Sequence, residues 1–342
     1  MIESVVLEDF PNLARKYKKF VIGLSGGQDS VAILHALKEL KSTDIENSNF
    51  LVEAVHVNHG LQKHATEFQQ FCQGLCSKLQ IKLHIEYITK DEEGKKELGI
   101  EAFARRERYL AYSRILNAED CLVLGHHAED QVETFLLQWI RGSGINGLSC
   151  MTRFTQKTVR GKRFSVWRPF LHLTKDSIKR YLVDNRLNWV DDPTNSCNKF
   201  DRNKIRNVIL PEILSIRTGG MKGMLRSIDN VREAKHLIDR KMKQLFRNVV
   251  YSDCDLLMQN EFLNVTICGI KLLKESDSVI CELIRFWLSC AGLIAPPSTR
   301  LKEFVRQLRR AARAARPELI IKGEIDSYKM LSFKGRLWLE KK

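Results

Sequence analysis

Residues 20–37 read FVIGLSGGQDSVAILHAL, which runs from an apolar strand through two glycines into a helix. Glycine has no Cβ atom, so Gly26 and Gly27 let the backbone approach phosphate oxygens and present its N–H groups to them. The hydroxyls of Ser25 and Ser30 and the unpaired N–H groups of the first helical turn add further donors. The stretch therefore predicts a phosphate-binding loop between a strand and a helix.

Asp29 is the acidic residue of this loop. A carboxylate beside a bound polyphosphate is repelled unless a cation lies between them, so the sequence indicates Mg²⁺ between Asp29 and the phosphates. An acid in a first helical turn is also favoured by about 0.3–1 kcal/mol through the helix dipole. The position of Asp29 alone does not decide between these two explanations.

Composition narrows the class of protein. The chain has 342 residues, with 56 Lys and Arg against 41 Asp and Glu, a net charge of +15. This length allows about two domains, and the positive charge favours a polyanionic partner, with nucleic acid ahead of acidic lipid. No apolar stretch approaches the roughly 18 residues of a membrane span, and no signal peptide is recognisable. Nine scattered cysteines indicate reduced thiols, so we expect a cytoplasmic protein with no membrane partner.

Strand and helix patterns alternate in the first part of the chain. Strands are expected at 19–24, 50–57, 81–88 and 120–124, and helices at 30–40, 65–80 and 101–116. This alternation predicts an α/β fold with a mostly parallel, doubly wound sheet, in which ligands bind beyond the carboxyl ends of the strands. A change of composition near residues 212–220 divides the chain into a catalytic domain, 1–215, and a mainly helical domain, 216–342, that ends in short strands.

Further predictions concern single elements. Residues 164–169 are expected to form an edge strand, and Thr174 is expected to cap a helix. A short basic helix from Arg202 should end at Pro211, because proline cannot continue a helix from within. Residues 221–249 have the apolar spacing of one long amphipathic helix.

Histidines and acids follow the fourth predicted strand. Residues 125–134 read GHHAEDQVET, and on a helix beginning there Asp130 and Glu133 share one face. Converging acids beside a triphosphate can hold Mg²⁺ or take a proton from an attacking amine. A solvated acidic helix start explains the same residues. A zinc site is less well supported, because neither H-E-x-x-H nor a paired C-x-x-C occurs.

Arginines in two other segments are candidate phosphate ligands. Within residues 101–109, Arg105 shares a helical face with Glu101, which favours either internal ion pairing or contact of the planar guanidinium with phosphate. Further along, Arg202 and Arg206 form a basic stripe that is either solvated or meets a nucleic-acid backbone.

Two ATPase families share parts of the loop sequence. Residues 24–28, LSGGQ, match the signature of ABC transporter ATPases, but no Walker A motif precedes them. Residues 25–30, SGGQDS, resemble at all six positions the S-G-G-x-D-S loop of the PP-loop ATP pyrophosphatase superfamily. Together with the segments 58–61, 101–109, 125–148 and 189–206, the loop makes residues 19–213 similar to the tRNA(Ile)-lysidine synthase family.

The resemblance implies an adenine-nucleotide α-hydrolase-like fold and a ligase that uses ATP and Mg²⁺. In that family, ATP adenylates the C2 carbonyl oxygen of the wobble cytidine in tRNA(Ile) with a CAU anticodon, releasing pyrophosphate. The ε-amine of free L-lysine then displaces AMP, which gives lysidine. The chain departs from the family pattern at Glu129, where a second aspartate is usual, and at Thr194, where serine is usual.

The resemblance also assigns residues by motif position. It places ATP against the loop and the end of the second strand: Ser25, Gly26, Gly27, Gln28, Asp29, Ser30, Asn58 and His59. It places Mg²⁺ against Asp29 and Asp130, and phosphate or the adenylated intermediate against Arg105 and Arg202. Only about one lysine ε-amine in a few thousand is uncharged at neutral pH, so a carboxylate has to accept its proton. We expect Asp130 or Glu133 to do so.

Three other functions are compatible with parts of the sequence. A PP-loop tRNA thiolase needs cysteines for sulfur transfer or an iron–sulfur cluster, whereas Cys72 and Cys76 have spacing that suits core packing. A small-molecule PP-loop ligase would not need the net charge of +15. A non-catalytic RNA-binding module would not need an intact loop.

The C-terminal part offers one basic amphipathic helix that begins near Pro297. Its arginines share one side: Arg306, Arg309, Arg310, Arg313 and Arg316. Such a helix can bind tRNA, lie on a membrane or simply be solvated, and tRNA is favoured here. The sequence leaves the oligomeric state open, with a homodimer among the alternatives.

Overall fold

The computed structural model describes residues 2–42, 50–58, 65–88, 100–192, 200–251, 262–310, 316–322 and 327–342. The chain divides into two compact units, Met1–Glu233 and Ala234–Lys342. This division falls inside one long helix. The functional domains expected at 1–215 and 216–342 stay a prediction.

The first unit alternates strands and helices. Its strands are β1 (Lys19–Gly23), β2 (Leu51–Asn58), β3 (Lys82–Tyr87), β4 (Asp120–Val123), β5 (Phe154–Val159) and β6 (Lys162–Trp167). Its helices are α1 (Ile2–Lys16), α2 (Gln28–Ser42), α3 (Ala65–Leu79), α4 (Ile100–Ile115), α5 (Ala128–Ile140), α6 (Ile145–Leu148), α7 (Lys175–Asp184), α8 (Asp201–Lys204), α9 (Leu210–Ile216) and the start of α10 (Gly220–Val249). The predicted α/β class is confirmed.

The six strands form one sheet in the order β3-β2-β1-β4-β6-β5. All neighbours are parallel except β5, which runs antiparallel to β6. In β1, Phe20, Val21 and Ile22 are fully buried. Because β2 and β4 flank β1 on opposite sides, the direction of winding reverses at its carboxyl end, which is where ligands bind in such sheets. The predicted phosphate loop begins there.

The two edge strands of this sheet are β3 and β5. The prediction of an edge strand at residues 164–169 is wrong, because β6 is paired on both sides, with β4 through Cys121 opposite Ser165 and with β5. Along β6, Phe164 and Val166 are buried, as expected for an interior strand. Most positions of β5 alternate between exposed and partly buried, which is typical of an antiparallel strand with one face in solvent.

Helix α1 packs aromatic side chains against β1 and β6. The ring centroid of Phe20 lies 5.3 Å from that of Phe10 and 6.1 Å from that of Trp167, and all three residues are fully buried. Each such ring pair contributes about 0.5–1.5 kcal/mol beyond the burial of its surface. The sequence patterns did not predict α1.

The helix that begins near Arg202 does not end at Pro211. From α8 it continues through a π-helical segment, Ile205–Ile209, into α9. Pro211 lies in the first turn of α9, directly after the π-helical segment. The predicted end of the helix at Pro211 is therefore wrong.

Two helix predictions are confirmed. Thr174 caps α7, with its hydroxyl accepting a hydrogen bond from the backbone N–H of Ser177 at 3.3 Å. The predicted long helix at residues 221–249 is α10.

The second unit combines helices with a small antiparallel sheet. Its elements after α10 are β7 (Ile267–Cys268), α11 (Gly269–Leu272), α12 (Asp277–Cys290), α13 (Ser298–Arg310), β8 (Glu318–Lys322), β9 (Ser327–Phe333) and β10 (Arg336–Lys341). The sheet order is β7-β10-β9-β8, and its core is formed by side chains such as Trp287 and Phe304, both fully buried.

The basic helix predicted near Pro297 is α13, and its apolar face is buried at Leu301, Phe304, Val305 and Leu308. Arg309 is held within the unit, since it donates to the backbone oxygen of Leu273 at 3.1 Å. Arg313 lies outside the described residues. Among the ranges described above, no helix is long and apolar enough to cross a membrane.

Gly74 lies in α3 and is exposed. An added Cβ atom there would meet nothing within 4 Å. Because alanine is favoured over glycine inside a helix by about 0.5–1 kcal/mol, we expect Gly74→Ala to raise the free energy of unfolding by about that amount. Urea unfolding measures it, and a lower stability would contradict the exposed position in α3.

Candidate active site

The predicted phosphate loop connects β1 to α2, and its two serines close it. The hydroxyl of Ser30 accepts from the backbone N–H of Ser25 at 3.2 Å and donates to the backbone oxygen of Gly27 at 3.0 Å. The hydroxyl of Ser25 accepts from the N–H of Gly27 at 3.3 Å. Gly26 has a φ of +88°, a conformation that favours glycine. The sequence pattern thus corresponds to a compact loop before a helix N-terminus.

Neighbouring elements hold the loop from two sides. The N–H of Val190 donates to the backbone oxygen of Gly26 at 3.0 Å. A Cβ atom on Gly26 would lie 3.4 Å from both Cys72 Sγ and Phe71 Cδ1. A side chain at Gly26 would therefore strain the backbone and crowd α3.

The cysteines of α3 are core residues. Burial raises the pKa of Cys72 to about 12 and that of Cys76 to about 11. Both thiols are therefore protonated near neutral pH, which agrees with the packing role expected from their spacing.

The remaining predicted ATP ligands lie at the ends of α2 and β2. Gln28 begins α2, and its Oε1 atom is buried without a hydrogen-bond partner in the described part of the chain. Asn58 ends β2 and donates from Nδ2 to Gln69 Oε1 at 2.9 Å. His59 and Thr194 lie outside the described residues.

Asp29 and Asp130 meet at the imidazole of His127. The Nε2 atom of His127 lies 3.8 Å from Asp29 Oδ2 and 3.6 Å from Asp130 Oδ2. Burial would lower the pKa of His127, but the surrounding carboxylates, with Asp130 first, raise it to about 9. We did not predict His127 as a site residue, although it belongs to the histidine pair after the fourth strand.

The two carboxylates are the candidate ligands of a magnesium ion. Asp29 Oδ1 is buried and, among the described residues, has no hydrogen-bond partner. Burial raises the pKa of Asp29, and Asp130 adds to that. No three His, Cys, Asp or Glu side chains in the described ranges are grouped to hold a metal. Mg²⁺ is commonly bound by only one or two carboxylates together with phosphate and water, so Asp29 and Asp130 suffice.

Glu129, where the family usually has aspartate, caps a helix. Its Oε1 and Oε2 atoms accept from the backbone N–H of Lys175 at 3.1 and 3.0 Å, and Oε2 lies 2.9 Å from His127 Nδ1. Lys175 is the first residue of α7, where the helix dipole favours a negative charge. The longer acid thus links the start of α7 to His127.

Asp130 and Glu133 are bound by two arginines. Arg202 donates from Nε to Glu133 Oε2 and from Nη2 to Asp130 Oδ1, both at 2.7 Å. Arg206 donates from Nε to Glu133 Oε1 at 2.5 Å and from Nη2 to Asp130 Oδ1 at 3.3 Å. Neither solvation nor a nucleic-acid backbone, the two explanations expected for this pair of arginines, accounts for these contacts.

The ion pairs of Asp130 and Glu133 with the two arginines determine the charges of these four side chains. Burial would raise the pKa of Asp130, but His127 and then Arg202 hold it well below its usual range. Burial would lower the pKa of Arg202, but Asp130 and Glu133 raise it. Glu133 is fully buried and both its oxygens accept from guanidinium groups. In this arrangement Glu133 positions the two arginines.

Arg105 lies on the exposed side of α4, with its Cζ atom 5.3 Å from the centre of the Tyr109 ring. No ion pair joins it to Glu101 in the part of the chain that the structure describes. Burial lowers the pKa of His126 to about 3; Asp130 opposes this shift, and three arginines, Arg168, Arg202 and Arg105, add to it. The charges of Arg105 and Arg202 therefore both act on the same histidine.

Two family descriptions match the chain. The PP-loop domain matches residues 3–213, and the TilS substrate binding domain matches residues 270–338. The first match covers the six-stranded sheet with its phosphate loop, and the second covers much of the second unit.

Curated relatives carry the name tRNA(Ile)-lysidine synthase. The protein of Actinobacillus pleuropneumoniae serotype 3 (strain JL03) is 34% identical over 309 residues, which cover 90% of this chain and 67% of the relative. That of Haemophilus influenzae (strain PittEE) is 32% identical over 322 residues, covering 94% and 70%. The chain thus spans about two thirds of the length of these relatives.

One solved structure shows the same fold at low identity. A U34-tRNA thiolase from Methanococcus maripaludis, solved with its 4Fe-4S cluster, has a TM-score of 0.50 and 17% identity. The match covers 68% of this chain and 80% of the thiolase. It supports the predicted PP-loop fold and nothing about the reaction.

Proposed function

Because the chain belongs to the tRNA(Ile)-lysidine synthase family, we propose that it joins L-lysine to the wobble cytidine of tRNA(Ile) with a CAU anticodon, at the expense of ATP. The observation that carries this proposal is the meeting of Asp29 and Asp130 at His127. Asp29 comes from the phosphate loop after β1 and Asp130 from the segment after β4, the neighbouring strand. Their meeting point lies where the winding of the sheet reverses, the expected place for a nucleotide.

In the first step of the proposed reaction, the C2 carbonyl oxygen of the cytidine attacks the α-phosphorus of ATP, and pyrophosphate leaves. The loop from Ser25 to Ser30 binds the phosphates through backbone N–H groups and serine hydroxyls. Asp29 and Asp130 would hold Mg²⁺, which supplies charge neutralisation for the phosphates when bound. Arg202 contacts phosphate or the adenylated intermediate, a role that motif position also gives to Arg105, and the charges of both arginines act on His126.

In the second step, the ε-amine of lysine attacks C2 and AMP leaves, so the amine must give up a proton. Asp130 and Glu133 are the candidate acceptors. Glu133 is enclosed by Arg202 and Arg206 and is fully buried, whereas Asp130 is 8% exposed. Both carboxylates are bound by Arg202 and Arg206, so the proton acceptor stays one of these two, and Asp130 is the more exposed of them.

The test is incorporation of labelled L-lysine into tRNA. Incubation with α-labelled ATP and total tRNA is expected to put lysine into tRNA(Ile) only when ATP is present, with one AMP formed for each lysine. A transcript in which the wobble cytidine is replaced by uridine serves as control and should accept none. Sulfur transfer to tRNA, or AMP formation that needs no tRNA, would instead support another PP-loop enzyme.

A further inference from the structure

Arg168 is a buried arginine directly after β6, only 3% exposed. Its Nη1 atom donates to the backbone oxygen of Thr152 at 3.1 Å and to Thr155 Oγ1 at 3.2 Å. Its Nε atom is buried and finds no acceptor among the described residues. A buried donor without a partner costs free energy, and more so when it is charged. An acceptor brought by a ligand would remove that cost.

Other cations lie around Arg168. Arg105 from α4 and Lys157 from β5 both approach the ring of the buried Tyr109, with Cζ and Nζ each 5.3 Å from its centroid. Burial lowers the pKa of Arg168; the Tyr109 hydroxyl opposes this shift, and repulsion from Arg105 adds to it. Cations from three elements therefore converge beside one aromatic ring.

The two arginines of this cluster lack an acidic partner within the described ranges, where no acidic side chain forms an ion pair with Arg105 or Arg168. Asp130 and Glu133 are already bound by two other arginines. Like-charged guanidinium groups held together without a counter-ion favour the binding of an anion.

The cluster is close to the proposed reaction site. Both Arg105 and Arg168 are near enough to His126 to act on its pKa, as are Arg202 and Asp130. The Nδ1 atom of His126 is also buried and unpartnered in the described structure. Arg105, Arg168 and the candidate proton acceptor Asp130 therefore lie within electrostatic range of the same histidine.

We propose that Arg105 and Arg168 form a subsite for the α-carboxylate of the amino acid substrate. This inference rests on the proposed function. The phosphate loop already binds the phosphates of ATP. The free amino acid, in contrast, has a carboxylate at the opposite end of its chain from the reacting amine, and this carboxylate needs a binding group of its own. A guanidinium presents a planar pair of donors that matches a carboxylate in a bidentate contact. A backbone phosphate of the tRNA has similar chemistry, and the experiment separates the two.

The experiment compares L-lysine with cadaverine, the same diamine chain without the carboxylate. A charged hydrogen bond contributes about 1.5–3 kcal/mol, so we expect the wild-type kcat/KM to favour lysine by at least about 10-fold. In Arg168→Gln and in Arg105→Gln this preference should fall about 10-fold or more. Arg105 is exposed, so its variant tests the subsite even if Arg168→Gln folds poorly.

Arg163→Gln is the matched control. Arg163 lies on β6, a few residues before Arg168, and its guanidinium donates to Gln156 at the surface. We expect this variant to keep the wild-type preference for lysine. If Arg168→Gln and Arg105→Gln slow lysine and cadaverine equally, the subsite is overturned. It is also overturned if they raise only the KM for tRNA, which would identify a tRNA phosphate as the anion.

Failure of the inference is distinguishable from failure of the proposed function. If the wild-type protein incorporates lysine into tRNA and the variants keep its preference over cadaverine, only the subsite is wrong. If the wild-type protein incorporates no lysine, the proposed function and the proposed subsite are both wrong.

Discussion

Replacing Glu133 with glutamine is expected to slow lysine incorporation into tRNA by about 100-fold or more, because it disrupts the contacts that hold Arg202 and Arg206. The two oxygens of Glu133 accept from Arg202 and Arg206 at 2.7 and 2.5 Å. An amide offers one acceptor, and its NH₂ group faces a guanidinium that also donates. At least one arginine then has to turn away, and Asp130 loses its fixed surroundings.

The same substitution should reduce stability. Glu133 is fully buried, and removal of one partner from a buried ion pair costs about 3–5 kcal/mol. Glutamine keeps the shape of the side chain, so we expect a loss at the lower end, about 3 kcal/mol, measured by urea unfolding.

Glu119→Gln is the matched control for Glu133→Gln. Glu119 forms a surface ion pair with Lys18 at 2.8 Å, and both side chains are largely exposed. Surface pairs of this kind contribute little, so activity and unfolding should stay near those of the wild type. Wild-type activity in a folded Glu133→Gln protein would contradict the positioning role of Glu133.

Replacing Gly125 with alanine is expected to weaken ATP binding by about 100-fold, because it moves the first turn of α2 away from the end of β4. An added Cβ atom would lie 2.9 Å from the carbonyl carbon of Asp29 and 2.9 Å from its Cβ atom. Backbone cannot yield as a flexible side chain can, so Asp29 has to shift. The meeting of Asp29 with Asp130 at His127 depends on this close approach.

Calorimetric titration with ATP and Mg²⁺ measures the effect of Gly125→Ala, and urea unfolding should show a loss of about 1–3 kcal/mol from overpacking. Gly144→Ala is the control, since a Cβ atom there would meet nothing within 4 Å. Unchanged ATP affinity in Gly125→Ala would mean that the spacing between β4 and α2 does not matter for the nucleotide.

Much of the fold was predictable because its signals are local. The strands and helices of the parallel half were expected within a few residues of their observed ends, since long apolar runs and helical spacing are read within one segment. The edge strand was misassigned because an apolar run does not reveal its neighbours on either side. Pro211 was misread because a proline in a first turn and a proline that ends a helix look alike in sequence.

The candidate site was predictable in part. The loop from Ser25 to Ser30, Asp130 and Arg202 were all named from motif positions. His127 was passed over because nothing in its spacing shows that both Asp29 and Asp130 reach its ring. Arg168 carried no signal at all, since the lack of an acceptor for its Nε atom among the described residues is a property of packing.

By itself, the amino-acid sequence determined the kind of sheet, the phosphate loop between β1 and α2, and the resemblance to the family. These follow from periodicity, glycine chemistry and motif spacing, which act between residues near each other in the chain. Only the tertiary structure decided which charges are paired. Asp130 and Arg202 are about 70 residues apart in sequence, yet their atoms are 2.7 Å apart, because the sheet brings distant segments to one edge.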